Sequence, residues 1–229
     1  MKAIRRLYKH NKETRVGYVE DNYLTPREIQ AINYNICLTR GYYLFSRCWL
    51  LVEGESDFHL MPLLFEAMGH SQDHVSFSVL EISQVIEKGE PFIKLAKSLG
   101  INWFLMADGD AAGNNYVNRV KKHLEGSEKL ADRACKLAQP DIEHEFWHNG
   151  YDGFIGNMVI NSRKSEIKIE AAGDVVKETK LLIKEAIKEA GGKPAFAQVL
   201  VTEIQQRGAG TVPITIRNII NRVVQLAGG

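Results

Sequence analysis

The chain has 229 residues, 45% of them hydrophobic and 25% charged, which fits a globular protein with a sizeable core and excludes a disordered or fibrous chain. No apolar run approaches the roughly 20 residues that span a bilayer, and Met1-Lys2-Ala3-Ile4-Arg5-Arg6 leads into no apolar signal segment, so a cytosolic protein is expected. The net charge of +1 conceals an asymmetry: residues 1–48 carry nine Lys/Arg against four Asp/Glu, residues 49–160 nine against 17, and residues 161–229 eleven against seven. An acidic centre between basic arms suits a metal-dependent enzyme that acts on a polyanion, although solvated helix faces give the same pattern. Cys37, Cys48 and Cys135 are scattered without C-x-x-C spacing and read as reduced core thiols.

The first residues are polar and irregular. A helix is expected from Thr25 to about Leu44, with Thr25 as N-cap, Pro26 at the first helical position and Glu28 closing a capping box. Cys48 to Val52 is an apolar run of strand length that ends at Glu53. Ser56 or Asp57 then opens a helix that ends near Gly69. Val75 to Ile82 reads as a strand, Glu90 to Leu99 as a short helix stopped by Gly100, and Trp103 to Ala107 as a strand. A helix from about Ala112 to Leu124, a strand within Arg133 to Ala138 and a helix opening at Asp141 follow. Strands alternating with helices imply an α/β fold with a parallel, doubly wound, right-handed sheet. Residues 153–172 show no clear period, and helices are expected over Asp174–Ala190, Pro194–Gln206 and Ile214–Leu226.

Two strands therefore run straight into acids: Glu53-Gly54-Glu55-Ser56-Asp57 and Asp108-Gly109-Asp110. Ligands of parallel sheets bind at the carboxyl ends of the strands. If those two ends are neighbours, Glu53, Asp57, Asp108 and Asp110 share one volume, which they can do only when protonated or neutralised by cations. A hard oxygen-loving ion such as Mg²⁺ is the simplest neutraliser. Glu55 is expected to face outward, and Gly109 to permit a bend. Asp108 to Gly113 superficially matches the start of a calcium-binding EF-hand loop but has Ala112 and Arg119 at ligand positions, so that reading is rejected.

His144-Glu145-Phe146-Trp147-His148 matches the zinc-peptidase pattern H-E-x-x-H, with both histidines on one helical face. Its place at a helix start speaks against zinc, and Glu143 or Glu145 can instead join the oxygen-ligand site. No nucleotide site is encoded: Gly192-Lys193 has Ile187 where a phosphate-binding loop needs glycine and Pro194 where it needs Ser or Thr, and no G-x-G-x-x-G occurs.

With these residues in view, the middle of the chain resembles a Toprim domain, the catalytic fold of topoisomerases, primases and certain nucleases. Glu53 matches the Toprim glutamate after the first strand and Asp108/Asp110 its later Asp-x-Asp. Leu50 to Asp57, Asp108 to Gly113, Pro140 to Glu145 and Gly192 to Ala197 further resemble the OLD (overcoming lysogenization defect) family of nucleases, a likeness running from about Thr25 to Leu226. The resemblance implies residues 1–45 as linker and helix, 46–152 as a Toprim catalytic domain and 153–229 as a helical region that contributes Lys193. It also implies that Glu53, Asp57, Asp108, Asp110 and Glu143 ligate two Mg²⁺ or Mn²⁺ ions, while Lys193 stabilises transition-state charge. OLD proteins carry an N-terminal ABC-type ATPase, which this chain lacks, so it is expected to be a C-terminal catalytic half. The expected activity is metal-dependent hydrolysis of DNA phosphodiester bonds. Its rivals are a zinc peptidase using His144, Glu145 and His148, and a non-catalytic Toprim module that binds nucleic acid.

Overall fold

The structure, a computed structural model, describes residues 3–10, 12–39, 41–83 and 89–228, without the side chains of residues 37–39. It opens on a feature that the sequence pattern hides: strands β1 (Arg6–His10) and β2 (Glu13–Gly17) form an antiparallel hairpin. Most of their side chains are exposed, so there is no apolar alternation to read. Long-range contact holds the hairpin instead: the Arg6 guanidinium donates to the carbonyls of Leu99, Gly100 and Ser46 at 2.9–3.1 Å.

Helix α1 (Pro26–Thr39) follows, and a separate 3₁₀ turn over Tyr42–Phe45 replaces the last part of the expected helix, Gly41 taking a left-handed conformation between them. The predicted capping box is present: Glu28 N–H donates to Thr25 Oγ1 at 3.2 Å, and Thr25 N–H to Glu28 Oε2 at 2.7 Å. Next come β3 (Cys48–Val52), α2 (Glu55–Ala67), the single turn α3 (Gln72–Val75), β4 (Phe77–Glu81), α4 (Glu90–Leu99), β5 (Asn102–Ala107), α5 (Ala111–Lys121), α6 (Leu130–Arg133) and β6 (Ala134–Lys136). Val75, expected at the start of a strand, belongs to α3, which Ser71 caps.

The main sheet is parallel in the order β4-β3-β5-β6. Alternate residues of its central strands enter opposite cores. Trp49, Leu51, Trp103 and Leu105 pack with Phe92 and Leu95 of α4. Leu50, Val52, Phe104 and Met106 pack with Leu60 and Leu64 of α2 and with the chain beyond the sheet. That chain comprises α7 (Ile142–Phe146), a wide turn through Trp147–Tyr151, α8 (Asp152–Asn157), α9 (Asn161–Ala171), α10 (Val175–Glu189), α11 (Lys193–Arg207) and α12 (Ile214–Leu226). Helix α9 escaped the periodicity reading because only Ile167 and Ala171 of its residues are buried. Helix α11 lies against α2. Cys48 and Cys135 are free thiols, Cys48 buried and Cys135 partly buried, whereas the Cys37 side chain lies outside the described residues. Among the described residues no helix is long and apolar enough to cross a membrane.

Glu28 ties α1 to α4 as well as capping it: only 1% exposed, it also accepts from Lys94 Nζ at 2.7 Å. Burial pushes its carboxyl up, but the Lys94 and Thr25 bonds outweigh burial and hold it below the usual range. A depressed carboxylate pKa stabilises above the unfolded value and stops doing so as pH falls through the folded one. Glu28→Gln should therefore cost about 2 kcal/mol in urea unfolding at pH 7, and the difference from wild type should close below about pH 4.

Candidate metal centre

Register brings the first two acids together. Val52 pairs with Met106, so β3 and β5 leave the sheet side by side, and the Asp108 N–H donates to Glu53 Oε1 at 2.8 Å. Glu53 is buried at the strand end. Asp57, 3% exposed, sits in the first turn of α2 and accepts from Gly54 N–H at 3.1 Å. Asp110 is the exposed N-cap of α5 and accepts from Gly113 N–H at 2.9 Å. Glu143 is buried in α7, its Oε1 accepting from Ser56 Oγ at 2.5 Å. The five carboxylates thus stand at one mouth of the sheet: just past β3 and β5, in the first turns of α2 and α7, and at the cap of α5.

Two glycines make this turn possible, for a different reason than a bend. Gly109 is not left-handed; a Cβ there would lie 2.1 Å from the Gln139 carbonyl oxygen, to which the Gly109 N–H donates at 3.0 Å. A Cβ at Gly113 would lie 1.9 Å from the Asp108 carbonyl oxygen and 3.1 Å from Glu53 Oε1. Close approach of backbone to backbone, rather than positive φ, fixes both residues as glycine.

The acids feel one another. Burial, then the charges of Asp108 and Glu143, push the Asp57 carboxyl well above the ordinary range against the Gly54 bond, with Glu53 adding to the rise. Burial, then Glu53, Asp141, Asp110 and Glu143, push Asp108 up to about 7. Burial and Asp141 raise Glu143, while Ser56 and the Lys193 charge pull it back. Among the described residues, Asp57, Asp108, Asp110 and Glu143 form no ion pair with Lys or Arg. Excess negative charge on oxygen donors is what a hard divalent ion neutralises, so the donor set fits one. The present side-chain positions do not clasp it: among the described residues no three His, Cys, Asp or Glu side chains gather as a metal cluster. Glu53, Asp57 and Asp110 each turn an oxygen to a backbone N–H instead.

Lys193 stands at the first position of α11 with its Nζ 3.7 Å from Glu55 Oε2. Glu55 is exposed, as expected, yet it is the residue that links Lys193 to the acidic mouth. Three further contributors escaped the sequence reading. Ser56 positions Glu143, Asp141 adds its charge to Asp108 and Glu143, and the hydroxyl of buried Tyr116 is pushed up to about 12 by burial and by Glu53 and Asp108. Pro140-Asp141 was readable as a helix cap, but nothing in the sequence tells that the cap faces Asp108.

The zinc-peptidase geometry is absent. The backbone stays helical through His148 and breaks only at Asn149 and Gly150, so burial and bonding, not the turn, set the two histidines apart. His148 is exposed, whereas buried His144 turns its Nδ1 to Asp141 Oδ1 at 2.6 Å. Glu145 is buried too, but it is Glu143 that acts electrostatically on Asp57 and Asp108.

Residues 44–110 match the family model described as overcoming lysogenization defect protein-like, TOPRIM domain. That segment is thus similar to an OLD-like TOPRIM domain. Its fold is similar to the C-terminal region of the Burkholderia pseudomallei OLD protein, at 22% identity and a TM-score of 0.61 over 80% of this chain and 99% of that one. The corresponding region of the Xanthomonas campestris pv. campestris OLD protein matches at 17% identity and a TM-score of 0.60, over 80% and 95% of the two chains. An Escherichia coli (strain K12) relative, the uncharacterized protein YbjD, is 30% identical over 208 residues, which is 90% of this chain but 35% of YbjD. This chain thus spans about a third of that relative's length. The acids Glu53 and Asp108, with Asp110 at its edge, lie inside the matched TOPRIM segment, and TOPRIM domains bind divalent metals.

Two outcomes follow from this geometry. A carboxylate whose folded pKa is raised stabilises below its unfolded pKa and loses that contribution as pH rises through the folded value. Asp57→Asn should thus raise the unfolding temperature in chelator, with a gain over wild type that grows as pH rises above the ordinary carboxylate range. Gly113→Ala should cost about 3 kcal/mol or more in chemical unfolding, because the Asp108 carbonyl that its Cβ meets is backbone and cannot step aside.

Proposed function

We propose that this chain is a metal-dependent DNA endonuclease that hydrolyses phosphodiester bonds. The observation that carries the reading is the gathering of Glu53, Asp57, Asp108, Asp110 and Glu143 at one sheet mouth, where Asp57 and Asp108 form no ion pair with Lys or Arg among the described residues. In this reading those five residues hold two Mg²⁺ or Mn²⁺ ions. Bound there, the ions supply a more acidic water and neutralise charge on the phosphate.

The chain's own groups set the stage. Backbone N–H groups of Gly54, Asp108 and Gly113 keep Asp57, Glu53 and Asp110 at the mouth before any ion arrives. Gathering around an ion would release some of these bonds, a local side-chain rotation rather than a change of fold. Ser56 keeps Glu143 turned inward. Lys193 offers its ammonium to a phosphate oxygen, exchanging the long contact with Glu55 for a charge-assisted one. An ABC-type ATPase region, implied by the OLD resemblance, would act on this catalytic part.

The non-catalytic module keeps one argument in its favour, since Glu53, Asp57 and Asp110 each accept from a backbone N–H. The two readings part experimentally. The nuclease should cleave plasmid DNA with Mg²⁺ or Mn²⁺, lose at least a hundredfold in rate on Asp108→Ala and about tenfold or more on Lys193→Ala. Either ion should raise its stability to unfolding by about 2.7 kcal/mol at a hundredfold excess over Kd. Full cleavage by Asp108→Ala removes the assignment, and DNA binding with no cleavage under any divalent ion favours the module.

A further inference from the structure

Beside Lys193 lies a cavity of about 430 Å³ that the metal centre does not use. It opens between the start of α11, which contributes Pro194 and Gln198, and the α2 face that carries Phe58, His59 and Pro62. Tyr42 of the 3₁₀ turn also lines it and is 49% exposed. The Phe58 and His59 rings stand edge to face, their centroids 5.3 Å apart. Aromatic rings and proline faces in one cleft, with His59 and Gln198 as hydrogen-bonding groups, are the makings of a site for a flat heteroaromatic ring. The volume is at the small end of ligand cavities, enough for a base and too little for a folded element.

Charge says what brings such a ring there. Lys193 precedes Pro194 directly, and its partner Glu55 lies one turn of α2 before His59, whose Nε2 is 4.0 Å from Glu55 Oε1. A strand whose phosphate is drawn to Lys193 carries its neighbouring base to the cavity mouth. We propose that this cleft is a subsite for an unstacked nucleobase of the polynucleotide strand, so that the protein favours single-stranded or frayed DNA over closed duplex. This rests on the nuclease reading and adds a substrate class to it. A base buried in a duplex cannot reach the rings without being extruded, which costs a few kcal/mol of stacking and pairing; a base in a single strand is already free.

Fluorescence anisotropy of a labelled single-stranded oligonucleotide, with Ca²⁺ replacing Mg²⁺, tests this on the full chain. Tyr42→Ala and Phe58→Ala should each weaken binding about tenfold with the unfolding midpoint of Tyr42→Ala unchanged. An oligonucleotide carrying 5-iodouracil should photo-crosslink to Tyr42 or Phe58. Unaltered affinity in both variants, with cross-links elsewhere, overturns the subsite, as does tighter binding of blunt duplex than of single strand. Displacement of the oligonucleotide by micromolar nucleoside monophosphate would overturn it in favour of a free nucleotide. The two readings fail separately: cleavage with indifferent Tyr42 and Phe58 variants removes only the subsite. Single-strand binding that needs Tyr42, in a protein that never cleaves, removes only the nuclease.

Discussion

A carboxylate taken out of water needs a cation, a hydrogen-bond donor or a proton. At the mouth of this sheet the chain supplies donors: Gly54, Asp108, Gly113 and His144 N–H groups bond Asp57, Glu53, Asp110 and Asp141. Those bonds fix where the acids stand but do not cancel their charge. The remainder appears as the raised carboxyls of Asp57, Asp108 and Glu143. Asp141 is the exception that explains the rule. Burial works on it as well, but the His144 side chain and backbone bond it, and it stays below the ordinary range. Where a neighbouring base bonds the acid directly the acid is settled; where none among the described residues does, the site keeps an unmet demand for positive charge.

That demand is built by strand register and by the absence of two Cβ atoms. Because Val52 pairs with Met106, a slip of one residue between β3 and β5 would break the Glu53–Asp108 contact and send apolar side chains to the wrong face. Beyond the strands, the chain leaving β5 turns so tightly that the Asp108 carbonyl occupies the place of a side chain at residue 113, and the segment after β6 brings the Gln139 carbonyl to that of one at 109. Tight turning lets the N-terminus of α5 and the segment leading to α7 approach the same mouth.

What could be read in advance depended on how far a residue acts through its own neighbours. The run Cys48–Val52 is wholly buried and apolar, so its strand and the acid after it are visible locally. Thr25 and Glu28 meet across one turn, and their box is legible at fixed spacing. The β1–β2 hairpin was illegible because its support is distant: Arg6 bonds carbonyls near residue 100, and Tyr8 fills the space that a side chain at Gly100 would need. Ser56, Asp141 and Tyr116 escaped for a related reason, since Ser56 meets Glu143, Asp141 acts on Asp108 and Tyr116 feels Glu53, all distant in sequence. Glycine's usual role misled at Gly109, where crowding rather than φ is the constraint.

Lys193 shows how the helical part enters the same electrostatics. Gly191 and Gly192 both adopt positive φ, and the Gly192 N–H returns to the Ile187 carbonyl at 2.8 Å, so the chain reverses sharply between α10 and α11. Buried Phe196, Ala197 and Leu200 then join the core that holds Leu60 and Leu64 of α2, and Lys193 is thereby held beside the first turn of α2. Its contact with Glu55 is long and half in solvent. Such pairs contribute about 0–1 kcal/mol, too little to hold the ammonium against a phosphate, whose charge-assisted hydrogen bonds are stronger. An ammonium placed by a buried core but restrained by only a weak partner is free to exchange that partner, without any movement of the helices that carry it.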